Sequence, residues 1–446
     1  MQQEHQLKRG LSLTQATAIN MIDMVGIGPF VVINAIVGFM NGPSALIAWV
    51  FGAFLAYMDG MVWAEMGARW PEAGGSYVFL QKLFGNRGGR IMAFLFVWQT
   101  SIQAPLVIAS GAIGFALYFN YLVPLGYWGS KAVSGGLVLV LTALLYRDIK
   151  SIGRISIVFS VITIGTIIWV ILAGMPHFNS AQVFGKQYWH FDFSLAFFAV
   201  VGQASTKAIY SYLGYYNVCH LGAEIKEPGK NIPRAIFISI TGIALLYLAM
   251  QTVILGVVPW EKLKKSDFAI STFFETACNH HVAQIATLLV LCVALASLFA
   301  VILGYSRVPY AAALNGDFFP VFARVHPRLN FPHVSLLALC GLAFIFSLLF
   351  KIAEVISAIV VMRIMIQFVS QAVGVMYWHH KQPNEERPFR MPLYPLPAIL
   401  SIVCWLFVFC MSDWFFIGFA LAIIVLGIAL FYLKEYQLSR RKNILP

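Results

Sequence analysis

The sequence predicts an all-α polytopic membrane protein of twelve transmembrane helices, and three observations carry that prediction. Sixty per cent of the 446 residues are hydrophobic and only 11% are charged. The mean hydropathy is +0.79, and apolar runs reach well past the ~20 residues that span a bilayer. The basic residues are also sorted by loop. Six of the 30 Lys and Arg (Lys131, Lys186, Lys262, Lys264, Lys265 and Lys351) fall in loops on one side and Lys207 and Arg363 fall within spans, while the remaining 22 share the side of the N-terminus. The positive-inside rule then puts both termini in the cytoplasm, and a cell (inner or plasma) membrane is the expected location.

Spans are expected at 13–39, 43–66, 91–121, 131–146, 153–174, 194–221, 233–257, 282–311, 333–350, 354–379, 395–411 and 414–433. The first is too long for a signal-peptide core and has no small-x-small cleavage site after it, so it reads as retained. It is interrupted by Met24-Val25-Gly26-Ile27-Gly28-Pro29-Phe30. After the second come a turn-rich loop at 69–77 and an amphipathic stretch at 78–85, expected to lie as an interfacial helix. The third, fourth and fifth are uninterrupted. The sixth is broken at Tyr210-Ser211-Tyr212-Leu213-Gly214-Tyr215 and leads into a charged, turn-rich loop at 224–234. After the eighth comes Asn315-Gly316-Asp317-Phe318-Phe319-Pro320 and a basic segment to Arg328. These three ordered loops share one side, as loop punctuation or as parts of a gate.

A helix broken at bilayer depth leaves N–H and C=O groups that lipid cannot satisfy, so the two breaks must face protein or a wet cavity. They stand five spans apart. An odd repeat inverts in the membrane, so spans 1–5 (13–174) and 6–10 (194–379) read as an inverted repeat within one transmembrane domain covering 1–446, with 395–433 as two extra helices.

The net charge of +12 raises the possibility of a nucleic-acid partner, but its distribution over loops is that of a membrane protein. The six cysteines form no CxxC, and five lie in or beside spans, which indicates neither a disulfide framework nor a zinc site. His280-His281 and His379-His380 sit at helix ends and read as interfacial. No phosphate-binding loop, nucleophile–base pair or metal cluster at membrane depth is present, which disfavours an ATP-driven pump or a membrane enzyme and calls for no cofactor.

Several polar residues lie where lipid makes them expensive. Asp23 is about 15 Å into the first span at 1.5 Å per residue, either as a neutral carboxyl tying helices together or as a cation partner or proton carrier. Asp59 in span 2 reads as a structural bridge. Lys207, one turn before Ser211, either snorkels outward or joins Arg363 as an outer-vestibule charge or gate. Such cations favour an acidic group whereas Asp23 favours a basic one, so the charge preference stays open. Tyr210 and Tyr212, straddling the second break, are read as solute contacts in a cluster with Tyr215 and Tyr216. Glu224 is a helix-end charge or part of a closure, with Arg69 as its candidate partner.

At Gly26-Ile27-Gly28-Pro29-Phe30, at Ala64-Glu65-Met66-Gly67-Ala68 with Pro71-x-Ala73-Gly74-Gly75-x-Tyr77, and at Gly222–Ala235 the chain resembles the amino acid-polyamine-organocation permeases. The likeness covers roughly residues 10–400. It implies a leucine-transporter-like fold with broken helices 1 and 6, moving amino acids by alternating access; a polyamine or cationic amino acid carrier and a non-transporting sensor are the alternatives. Carried over by motif, the N–H groups of Gly26, Ile27 and Gly28 meet the α-carboxylate, and the carbonyls of Met24, Tyr210 and Leu213 face the amine. Helix dipoles favour the same polarity. Pro29 has no N–H, so the break has one donor fewer than usual, and Ile27 replaces a small polar residue. Some proton-coupled relatives carry a lysine where this chain has Thr163. Thr163 is then an ordinary helix residue, or joins Ser297 in a sodium site, or the driving ion is a proton carried by Asp23, or the protein is an exchanger.

Overall fold

The computed structural model describes residues 7, 9–147, 149–189, 191–349 and 352–444, without the side chains of 149–151, 352–355 and 437–444. Lys8 and Lys351, counted above among the loop charges, lie outside the described residues, as do the side chains of Lys150, Arg440, Arg441 and Lys442.

The chain opens with α1 (Leu13–Met24), which starts on a capping box: Ser12 Oγ accepts from the Gln15 N–H and the Gln15 side chain accepts from the Ser12 N–H. Its end is set by Gly26-Ile27-Gly28-Pro29. Pro29 supplies the first turn of α2 (Gly28–Val31), where a missing N–H costs nothing. α3 (Ile33–Met40) continues at 57° to the segment before it. α4 (Leu46–Arg69), α5 (Ser76–Phe84), α6 (Asn86–Leu122), α7 (Tyr127–Leu145) and α8 (Ile149–Gly174) complete the first half.

The second half runs through α9 (Ser180–Phe184), α10 (Leu195–Tyr212), α11 (Asn217–His220), α12 (Pro228–Val257), α13 (Trp260–Leu263), α14 (Ala269–Ala277), α15 (His280–Tyr305) and α16 (Arg307–Leu314). It continues through α17 (His333–Leu349), α18 (Ile352–Arg363), a π-helical turn at Ile364–Val369 and α19 (Ser370–Lys381), and closes with α20 (Leu396–Cys410) and α21 (Trp414–Ile444).

By length and composition, eight helices among the described residues can cross a membrane, or nine if the bent pair Leu13–Val31 and Ile33–Met40 is one span. The expected sixth span is not among them: its break divides it into helices of 18 and 4 residues, and Gln203, Ser205, Thr206, Lys207 and Ser211 make the longer one too polar to qualify. α17 and α20 are apolar but shorter. The expected interfacial stretch is α5, but Tyr77, Phe79 and Leu80 on it are fully buried and it packs on α6 and α19, so protein covers its apolar face.

Packing follows a pattern of exchange. α4 packs on α12, α6 on α15 and α7 on α17, while α1 lies against α12 and α8, and α10 against α4 and α18. α8 lies on α15 and α12; α18 lies on α6, and α19 on α4. Apolar side chains that this packing leaves exposed, such as Leu139, Val140, Val161, Leu172, Phe415 and Val425, cover the outward faces of α7, α8 and α21, as a hydrocarbon solvent permits.

The ordered loops meet at one end of the bundle. Ala73 bridges Leu221, and the segment before α1 pairs with the loop after α11 through Leu11 and Ile225. Glu224 is fully buried there, and Arg307, 2% exposed, donates to both its carboxylate oxygens at 2.8 and 3.1 Å. The expected Glu224–Arg69 pairing is corrected: Arg69, at the end of α4, donates instead to Glu385. A fully desolvated carboxylate needs a partner that is itself buried, and Arg307 is that partner. Burial pushes the Glu385 carboxyl up, but hydrogen bonds from Arg69 and Trp378 and the charges of Arg69 and Arg387 outweigh it and hold it below its ordinary value.

Removing Glu224 leaves the Arg307 charge buried and uncompensated. Glu224→Gln is therefore expected to destabilise the protein by about 3–5 kcal/mol, read as a lowered Tm in detergent, with Glu224→Gln/Arg307→Met recovering much of the loss. A carboxyl depressed by folding contributes stability that is present above its unfolded pKa and lost as pH falls through the folded one. The Arg69–Glu385 contact is accordingly expected to hold from neutral pH to about 4.5 and to release only in stronger acid, read as the onset of proteolysis in the 382–395 loop.

Candidate functional site

The two breaks lie side by side. Asn20 on α1 donates to the Tyr215 carbonyl at 2.7 Å and accepts from the Val218 N–H at 2.8 Å, so a side chain of the first broken helix replaces the backbone partners that the second has lost. From α12, the Tyr247 hydroxyl reaches the Met24 carbonyl at 2.8 Å and the Ser211 carbonyl at 3.2 Å. Gly214, at φ +118°, permits the closest approach: a Cβ there would stand 2.8 Å from Asp23 Cγ and from the Met24 nitrogen. Gly26 likewise makes room for Ser297, whose Oγ would lie 2.6 Å from an added Cβ and which donates to the Asp23 carbonyl at 3.2 Å.

Between the breaks is a cavity of about 60 Å³, well above the ~10–15 Å³ needed to hold one water. Asp23, Met24, Gly26, Ile27 and Gly28 line it from the first break, and Tyr210, Ser211, Leu213 and Gly214 from the second. Among the described residues, backbone hydrogen bonding passes over the N–H groups of Gly26, Ile27 and Gly28. The carbonyls of Tyr210 and Leu213 accept no backbone N–H either. The Met24 carbonyl already receives the Tyr247 hydroxyl, which leaves it one lone pair.

Tyr212 is not part of this wall. It is 1% exposed and packs edge-on against Trp49 and Tyr247, at ring separations of 6.1 and 5.3 Å. Residues two apart on a helix point about 200° apart, so Tyr210 and Tyr212 cannot both face the cavity, and the expected Tyr212 contact is corrected. Asp59 is fully buried and accepts from the Tyr215 hydroxyl and from Ser401 at 2.9 Å, a bridge from α4 to the second break and to α20.

Lys207 and Arg363 do not form one group. Lys207 donates to Ser357 Oγ at 2.7 Å on α18, whereas Arg363 lies about 9 Å further along that helix at 1.5 Å per residue and lines the cavity. Ser297 lines it too, while Thr163 does not; Thr163 is fully buried on α8 with its hydroxyl unpartnered. Glu224 and Arg69 belong to the loop end described above. Residues that sequence reasoning missed are Val107 and Gly111 on α6, Ala294, Leu298, Val301 and Tyr305 on α15, Ile359 on α18, and Tyr216. They carry no local signal, except that Tyr216 directly follows the second break.

Comparison with known proteins identifies the family. The chain is similar to the branched-chain amino acid permease BcaP of Bacillus subtilis, 23% identical over 455 residues that cover 98% of this chain and 95% of that protein. It is likewise similar to the methylthioribose transporter of Bacillus subtilis, at 23% identity over 98% of this chain and 95% of that protein. Cationic amino acid transporter 4 of Mus musculus is 27% identical over 79% of this chain and 57% of its own length. The profile described as "Amino acid permease" matches residues 11–434, and with almost the whole length matched, the chain belongs to the amino acid permease family of membrane transporters.

Proposed function

We propose that this amino acid transporter binds its substrate between the two helix breaks and carries it by alternating access of two inverted halves. The observation that carries the reading is the set of unpaired backbone groups lining one cavity: the N–H groups of Gly26, Ile27 and Gly28, and the carbonyls of Tyr210 and Leu213. An α-carboxylate fits the N–H set at the start of α2, and an α-amine fits the carbonyls where α10 ends, with Met24 offering its second lone pair. Asp23 and Ser211 complete the wall. Ser297 and Thr163 remain the candidates for ion coupling, by sodium or by a relay involving Asp23, and Asp59, Arg69, Lys207 and Glu224 for gating.

The exchange in packing supports the inverted repeat of 13–174 and 194–379. Where α1 meets α12, α10 meets α4; where α1 meets α8, α10 meets α18; where α8 meets α15, α18 meets α6. Swapping each of spans 1–5 with the one five further on maps each of these contacts onto another. On this reading α10 with α11, α17 and α20 are spans despite their length, the count is twelve, the pair at 395–433 lies outside the repeat, and both termini are cytoplasmic in a plasma or inner membrane. A polyamine carrier and a sensor are not favoured in a family whose relatives are named permeases and transporters.

The deciding experiment is counterflow in proteoliposomes preloaded with mixed amino acids, following one labelled amino acid at a time. Entry above protein-free vesicles is expected for a subset of amino acids, after which imposed proton and sodium gradients separate the coupling modes; no entry by folded, inserted protein rejects the reading. Gly214→Ala forces the breaks apart at a backbone angle that only glycine adopts readily, and is expected to reduce exchange about 100-fold in the same assay.

A further inference from the structure

We infer that the cavity is built for an amino acid bearing a second carboxylate, received by Arg363 and Tyr305. The inference rests on the permease reading and narrows its substrate class.

Arg363 stands where α18 gives way to the π-helical turn Ile364–Val369, and is 2% exposed. One of its terminal nitrogens donates to the Tyr216 hydroxyl. Its Nε and Nη2 have no acceptor, and neither has the Tyr305 hydroxyl beside them. The guanidinium lies 5.1 Å from the Tyr305 ring centre and 5.7 Å from that of Tyr216. Arg363 takes part in none of the ion pairs among the described residues. A buried guanidinium with no carboxylate in contact, beside donors without acceptors, leaves hydrogen-bonding capacity that a bound group can complete. The planar fork of Arg matches a carboxylate bidentately.

On the permease reading that carboxylate is distinct from the α-carboxylate, because the N–H groups of Gly26, Ile27 and Gly28 form a separate donor set at the first helix break, whereas Arg363 stands on α18 and Tyr305 on α15. Asp23 faces the same cavity and feels the charge of Arg363 across it, but the two form no contact ion pair among the described residues. The Asp23 carboxyl lies against Gly214, where the amine-facing carbonyls are. The cavity thus presents two donor sets and one acceptor set, which complement two carboxylates and one ammonium. It also disfavours a cationic side chain, which would have to sit against Arg363.

The test compares L-aspartate and L-glutamate with L-asparagine, L-glutamine and L-lysine in counterflow by the wild-type protein. An acidic amino acid is expected to exchange at least about tenfold faster than its amide. Arg363→Gln is expected to bring the acid down to the level of the amide, and Arg363→Lys, which keeps the charge and loses the fork, to fall between. Equal exchange of acid and amide, or a preference for an amide or lysine, overturns the inference and leaves the permease reading standing. No exchange of any amino acid, by protein that still unfolds cooperatively on heating, overturns both. Should Arg363→Gln fail to fold, a Tm rise of the wild-type protein with L-glutamate but not L-glutamine supports the inference, and equal rises reject it.

Discussion

Everything at the centre of this protein depends on two interrupted helices completing each other. An interrupted helix in lipid has no water to fall back on, and here the loss is made good across the gap, by Asn20 for the Tyr215 carbonyl and the Val218 N–H and by the Tyr247 hydroxyl for Met24 and Ser211. The second break takes partners from Asn20 of the first, and both take one from Tyr247 of α12. What these contacts leave unsatisfied is a short list of backbone groups, and on the proposed reading these meet what all amino acids share and not what distinguishes them.

Side chains supply the distinction, and they come from other elements. α6, α15 and α18 close the cavity with Val107, Leu298, Tyr305, Ile359 and Arg363, each fixed by its own helix packing. On the proposed reading, the broken pair holds the part of the site made of backbone, and the surrounding helices hold the part made of side chains.

The breaks were legible in the sequence because glycine and proline act locally: Gly26, Gly28, Pro29 and Gly214 report backbone geometry at their own positions. Charge sorting was legible for the same reason, since loops are counted one at a time. Partners were not. Glu224 had basic candidates on several loops, and only the depth of Arg307 selects it over Arg69. Tyr212 seemed to belong with Tyr210 by proximity, but helical phase turns it toward Trp49. Arg363 reads as a companion of Lys207 because a residue number gives no depth; the register of α18 against α6 and α10 sets it in the cavity wall.

The Tyr247 hydroxyl has a further consequence. It carries one proton and faces two carbonyls, Met24 at 2.8 Å and Ser211 at 3.2 Å. At any instant one of the two holds less than a full share of that proton. The junction of the broken helices thus carries a standing shortage of protons, spread over two halves of the molecule by a single rotatable bond, and a shift of α1 relative to α10 only has to change which carbonyl goes short.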